Sequence, residues 1–110
     1  SDAQILAVAD PIMDNLMDAS TAIDYDRHTR DFTERARRAL PREALRPICE
    51  QYQRELGFFG PREFVAIFRR ADSVAIIWRQ TFTKAAGDFV AEMVLVEEGG
   101  RCLVDHVMVF

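Results

Sequence analysis

Apolar residues at 5, 6, 9, 12, 13, 16 and 17 trace one stripe with a period of about 3.6, so the chain opens with an amphipathic helix. Pro11 lies inside that stripe. It suits either the first turn after an Asp10 cap or a kink in a longer helix beginning near Asp2, and the longer, kinked helix is the preferred reading. A break follows at 20–24, where Asp24 caps a short helix over 25–32. Thr33 and Glu34 then start a further turn that runs through Leu40. Pro41 enters a third helix, with Ala44, Leu45, Ile48, Cys49, Tyr52 and Leu56 on one stripe and Gly57 as its left-handed stop. Pro47 falls in the first two turns of that helix, where a missing N–H matters least. Three helical segments therefore fill the first half.

After Gly57 the pattern changes to alternation and to β-branched and aromatic residues; seven of the eight Phe lie here. Strands are predicted over 63–70, 73–83, 88–97 and 101–110. The connections between them are so short that each must join antiparallel neighbours.

Directly paired residues of a hairpin share a face, so loop length fixes which side chains point inward. A loop at 84–87 pairs Phe82 with Phe89, Gln80 with Ala91, Trp78 with Met93 and Ile76 with Leu95, and sets Arg79 against Glu92 on the other face. A turn at 70–72 pairs Phe64 with Trp78, Phe68 with Val74 and Glu63 with Arg79. A Gly99-Gly100 turn pairs Leu95 with Val104, Met93 with His106 and Ala91 with Met108. His106 then shares a face with Trp78 and Asp105 points away; one residue more or less in that last hairpin exchanges the two. The expected inner face is aromatic and nearly uncharged. The outer face, with Val65, Ile77, Val94 and Val107 around Glu63, Arg79 and Glu92, is apolar enough to predict a homodimer through the sheet.

At 110 residues the chain has the length of one domain, 1–110, and its 49% hydrophobic and 29% charged residues are an ordinary globular balance. Acidic residues interrupt every apolar run before membrane-spanning length, so no membrane partner is expected. No Lys/Arg-led apolar segment with a small-residue cleavage site opens the chain; a cytoplasmic protein and a mature secreted or periplasmic one both fit. Cys49 and Cys102 are too far apart for a CxxC pair, and with two His there are too few soft ligands for zinc, so no metal and no cofactor is expected. Two free thiols are the simpler reading, a single disulfide the alternative.

Charge is unevenly spread. Residues 1–26 hold six Asp and no base, whereas 27–46 hold seven Arg against three acids. The arginine run is readable as a phosphate-binding patch, but the acidic total of −4 and the lack of interleaved aromatic residues argue against nucleic acid as a partner. The aspartates of the first helix are its expected partners, as exposed pairs that orient helices more than they stabilise them.

Asp24-Tyr25 after the first helix, Asp31-Phe32-Thr33, Leu56-Gly57 closing the third helix, Ala71-Asp72-Ser73 at the first hairpin and the Ile77-Trp78 to Phe82 strand together resemble the small, uncharacterised prokaryotic members of the nuclear transport factor 2-like (cystatin-like α+β) superfamily. The resemblance spans nearly the whole chain. It implies an α+β fold in which three N-terminal helical segments pack on the concave face of a curved, four-stranded antiparallel sheet, forming a cone. That superfamily holds isomerases, cyclases, dehydratases, ligand carriers and assembly domains, so it does not by itself select an activity.

Enzymes of the superfamily need an acid or base in the cone with a second group to hold an oxyanion. The candidates are His106 and Tyr25, with Tyr52 and Gln80 behind them; the simpler reading of His106 is a core-edge histidine satisfied by Gln80 or a backbone carbonyl. No inward carboxylate is expected in the strands. Phe64, Trp78, Gln80, Met93 and His106 are the expected lining of a small apolar pocket, with plain core packing as the alternative. The reading is a dimerising domain that binds a small apolar ligand or a protein partner without catalysis. A small isomerase or lyase with His106 as general base is the first alternative, and nucleic-acid binding through 27–46 the second.

Overall fold

Local chemistry sets the helix boundaries. In the computed structural model, which describes residues 1–110, the side chain of Asp24 accepts from Arg27 N (3.2 Å) and that of Thr33 from Ala36 N (3.1 Å), each starting a helix. The helices are α1 (Asp2–Ala22), α2 (Tyr25–His28), α3 (Glu34–Ala39) and α4 (Arg42–Glu55). Pro11 lies within an unbroken α1 and Pro47 within α4. The short helix expected over 25–32 ends at His28, because Phe32 leaves the helical path to form a parallel bridge with Val104, and the turn expected from Thr33 through Leu40 is α3. Gly57 ends α4 with a φ of 84°, and a Cβ there would overlap Thr83 Oγ1.

The strands β1 (Phe59–Arg69), β2 (Val74–Phe82), β3 (Phe89–Glu98) and β4 (Arg101–Val109) form one curved antiparallel sheet in sequential order. The α+β architecture read from the sequence is thus the one observed. β1 begins four residues before its expected start at 63; Pro61 is tolerated there because β1 is an edge strand with one side free of ladder bonds. No helix is long and apolar enough to cross a membrane.

α1 lies over the inner face of the sheet. Ala9, Met13, Leu16 and Met17 pack against Ile76, Trp78, Met93, Leu95 and Val104 in one buried cluster. Arg62 of β1 ties the two layers: its guanidinium lies 5.0 Å from the Trp78 ring centroid and donates to Asp10 (3.2 Å) and Asp14 (2.9 Å), while Trp78 Nε1 donates to Asp10 (3.2 Å). Asp2 pairs with Arg69. Asp2, Asp10 and Asp14 of α1 are therefore paired by β1 and not, as expected, by the arginines of 27–46. Five of those seven arginines pair with other acids: Arg30 with Asp31, Arg38 with Glu34, Arg42 with Asp26 and Arg46 with Glu50, and, across the fold, Arg35 with Asp105.

Two bulges change which residues face inward. Glu63 and Phe64 meet Arg79 and Trp78 as expected, but an irregularity at Val65 then sets Ile67 opposite Ile76 and Phe68 opposite Ala75. Ile67 joins the core and Phe68 faces solvent. On β4, Leu95 meets Val104 as expected; Asp105 is then the extra residue, so His106 pairs with Val94 and Val107 with Met93. His106 thus joins the outer face and Val107 the inner one, the reverse of the expected placement of both. Between β2 and β3 the register is offset by two residues, with Gln80 opposite Phe89 and Trp78 opposite Ala91, so every face is kept but Arg79 meets Val90 instead of Glu92. The connection is longer than expected, and at its start Thr83 and Lys84 donate backbone N–H groups to the Phe58 and Leu56 carbonyls.

Candidate functional site

One end of the space between helices and sheet is not filled. The second half of α1, α3 and α4 bridge the sheet end made by the start of β1, the end of β2, the start of β3 and the end of β4. Beneath them lies a cavity of about 610 Å³ lined by 23 residues, 19 of them hydrophobic. That is within the size range of small-molecule sites.

Its walls follow from the helix stripes. α1 contributes Met13, Leu16, Met17 and Ser20, which recur at helical spacing on one face. α4 contributes Leu45, Ile48, Cys49, Tyr52 and Leu56, the stripe read from the sequence. The floor is aromatic. Tyr52 lies 5.2 Å from Phe59 and 6.2 Å from Phe82, and Phe82 meets Phe89 edge to face at 4.9 Å.

Few polar groups reach this space. Ser20 Oγ and Tyr52 Oη share a hydrogen bond of 2.8 Å, and Ser20 Oγ lies 3.4 Å from Cys49 Sγ. Burial pushes the Cys49 thiol up, so it stays protonated at neutral pH; both cysteines are free. On the opposite wall His28 packs edge to face on Phe32 at 5.5 Å, and its Nδ1 is buried with no hydrogen-bond partner. Burial lowers its pKa from 6.5 to about 4, so the ring is neutral at physiological pH. At the rim Asp105 accepts from Thr33 Oγ1 (2.9 Å) and pairs with Arg35, which holds its carboxyl below the usual carboxylate range. No Arg or Lys lines the cavity.

The residues expected to form the pocket are elsewhere. Trp78 and Met93 are buried beneath α1, Gln80 is fully buried with its amide donating to the Gly60 and Thr81 carbonyls, and Phe64 sits half exposed at the β1 edge. Of that set His106 alone touches the cavity, at its rim; its Nε2 donates to Glu92 Oε1 (2.8 Å) across the outer face. Tyr25 does not line the cavity, since its hydroxyl donates to the Leu40 carbonyl (2.6 Å) and Arg42 covers its ring at 4.7 Å. The structure therefore does not bring His106 and Tyr25 together. Sequence reasoning missed Ser20, Cys49 and His28 as site residues. The available signal was polar side chains on otherwise apolar helix stripes.

The outer face is a second candidate surface. Ile77, Val94, Val96 and Leu103 lie across its middle, and Phe68, Met108 and Phe110 are 56%, 49% and 59% exposed. Arg79 pairs there with Glu63 and Asp88, beside the His106–Glu92 pair. Val107 drops out of the expected interface set because it faces the core; Val65 occupies the β1 bulge.

No protein-family model and no curated protein matches the sequence. Among solved structures, the chain is similar to Bd1075 from Bdellovibrio bacteriovorus, with a TM-score of 0.53 at 8% identity over 91% of this chain. It spans 38% of the length of Bd1075. A protein from Kribbella flavida DSM 17836 aligns over 94% of this chain and 87% of its own at 15% identity, with a TM-score of 0.48. Neither name states a ligand, partner or reaction, and at these identities the likeness to Bd1075 shows a shared α+β fold alone.

Proposed function

We propose that this chain is a ligand-binding domain of the nuclear transport factor 2-like kind, which holds a small apolar molecule between α1, α3, α4 and the sheet. The observation that carries the reading is the 610 Å³ cavity itself, walled by apolar side chains whose positions are fixed by helix stripes and an aromatic cluster. A core selected for stability alone closes such a space, because each unfilled volume forfeits packing energy. Titration with 2-ethylnaphthalene, a rigid apolar probe, tests it by calorimetry. Saturable one-to-one binding is expected, and Ala36→Trp, which fills the cavity from α3, is expected to abolish it while leaving the circular-dichroism melt cooperative. Binding unchanged in Ala36→Trp would place the probe elsewhere and end this reading.

A second property is favoured by the outer face, where exposed Phe68, Met108 and Phe110 flank an apolar middle. Contiguous apolar surface of this kind marks an interface, and a face bearing both charge signs is self-complementary about a two-fold axis. The partner is a second copy of the chain. Light scattering at micromolar concentration is expected to give twice the 12.6 kDa chain mass, and Val94→Glu half of that. A monomeric wild-type chain contradicts it.

A further inference from the structure

Resting on the cavity reading above, we infer that the ligand is a neutral molecule with an aromatic or comparably flat apolar body and one carbonyl or hydroxyl group, which hydrogen-bonds to Tyr52. Carboxylate ligands are discriminated against. Three observations lead there.

The first is a line of polar hydrogens. Cys49 Sγ, Ser20 Oγ and Tyr52 Oη lie in sequence at 3.4 and 2.8 Å, all three lining the cavity. Each group has one proton to donate and lone pairs to accept with, and the hydrogen bonds among them leave the phenol with capacity for one further partner. When the thiol donates to Ser20 and Ser20 to Tyr52, the phenol proton is left for a ligand carbonyl. When the order reverses, the phenol oxygen is left to accept from a ligand hydroxyl. Either group engages the phenol, the spare proton in the reversed order being that of the Cys49 thiol, and a hydrocarbon offers the phenol no partner.

The second is placement. Phe59 and Phe82 hold the Tyr52 ring and Ser20 holds its hydroxyl, so the donor is ordered before any ligand arrives. Its neighbours are aromatic faces and edges, which suit a flat body.

The third is charge. No cation lines the cavity, His28 is neutral at physiological pH, and the one carboxylate, Asp105, is negative. An ionised carboxylate moved into this space would lose its water without gaining a counter-ion. A neutral carbonyl or alcohol surrenders far less.

Three probes with one ring system separate these statements: 2-ethylnaphthalene, 2-acetylnaphthalene and 2-naphthoate, titrated at neutral pH into the wild-type chain, Tyr52→Phe and Ser20→Ala. The ketone is expected to bind the wild type about tenfold more tightly than the hydrocarbon, the gain of one buried hydrogen bond. The carboxylate is expected to bind at least about tenfold more weakly than the ketone. In Tyr52→Phe the ketone's advantage disappears while hydrocarbon affinity is unchanged, a result that general loosening of the fold does not give. Ser20→Ala supplies the same comparison with every ring in place should Tyr52→Phe fail to fold, and there the advantage shrinks. If the hydrocarbon binds but the carboxylate equals the ketone, or if Tyr52→Phe and Ser20→Ala both keep the ketone's full advantage, the inference falls and the cavity reading stands. If none of the three binds, both fall.

Discussion

The two ends of the space between helices and sheet are built from similar residues and solved differently. At the Trp78 end α1 lies on the sheet, Ala9 allows close approach, and Arg62 joins Trp78, Asp10 and Asp14 across the layers. The core is closed around Trp78, and beyond it only a more open groove of mixed polarity remains, between the first turns of α1 and the two hairpin ends. At the other end the second half of α1 shares the roof with α3 and α4, and apolar side chains from all of them surround about 610 Å³ of space. Hydrophobic content therefore does not separate a core from a binding site in this protein; what separates them is whether the covering helix touches the sheet.

The largest test of that contrast is truncation at each end. Trp78→Ala removes a ring that is 2% exposed from close packing, and a loss of about 3–5 kcal/mol is expected in denaturant unfolding. Phe89→Ala borders space that is already open, so its removal is expected to cost clearly less, about 1–2 kcal/mol, for want of neighbours to lose. Equal losses would mean that the two ends are packed alike.

Next in size is the pH response of the open end. His28 has a folded pKa near 4 against 6.5 unfolded, so between those values the unfolded chain binds the extra proton. Stability should fall as pH drops through that window and this contribution should level off below it, by up to about 3 kcal/mol for a shift of this size. His28→Leu is expected to remove that slope from the pH dependence of the midpoint. A variant that keeps the wild-type slope would show that His28 is not the group responsible.

Smaller is the cross-layer tie at the closed end. Arg62→Ala leaves Asp10 and Asp14 facing each other and bares one face of Trp78, and about 2 kcal/mol is expected from lost charge-assisted hydrogen bonds. Ligand binding at the far end should not change. A shift in 2-ethylnaphthalene affinity with Arg62→Ala would show that the ends are coupled.

The same contrast explains what was legible in the sequence. Helix stripes are local, so α1 and α4 and the residues they turn inward were readable, as was the antiparallel order forced by short hairpins. Parity carried the inner face through β2 and β3 even though the register was offset by two, because an even slip moves no side chain to the other face. It failed at Val65 and Asp105. A bulge inverts everything beyond it, and neither residue announces one by type; Asp105 is extruded because Thr33 and Arg35 of a distant segment bind its carboxylate. His106 moved faces for that reason alone. The cavity was misplaced for another: the aromatic density around Trp78 looked like a pocket lining, and whether a helix covers it is a question of tertiary packing that no periodicity encodes.

The most direct measurement uses the four methionines. Met13, Met17 and Met108 line the cavity, whereas Met93 is buried at the closed end. With methyl-labelled methionine, the account predicts nuclear Overhauser contacts from bound 2-acetylnaphthalene to the Met17 methyl, with Met13 also shifted and Met93 unmoved. Contacts to Met93, or a ligand seen only by residues of the outer face, would contradict it.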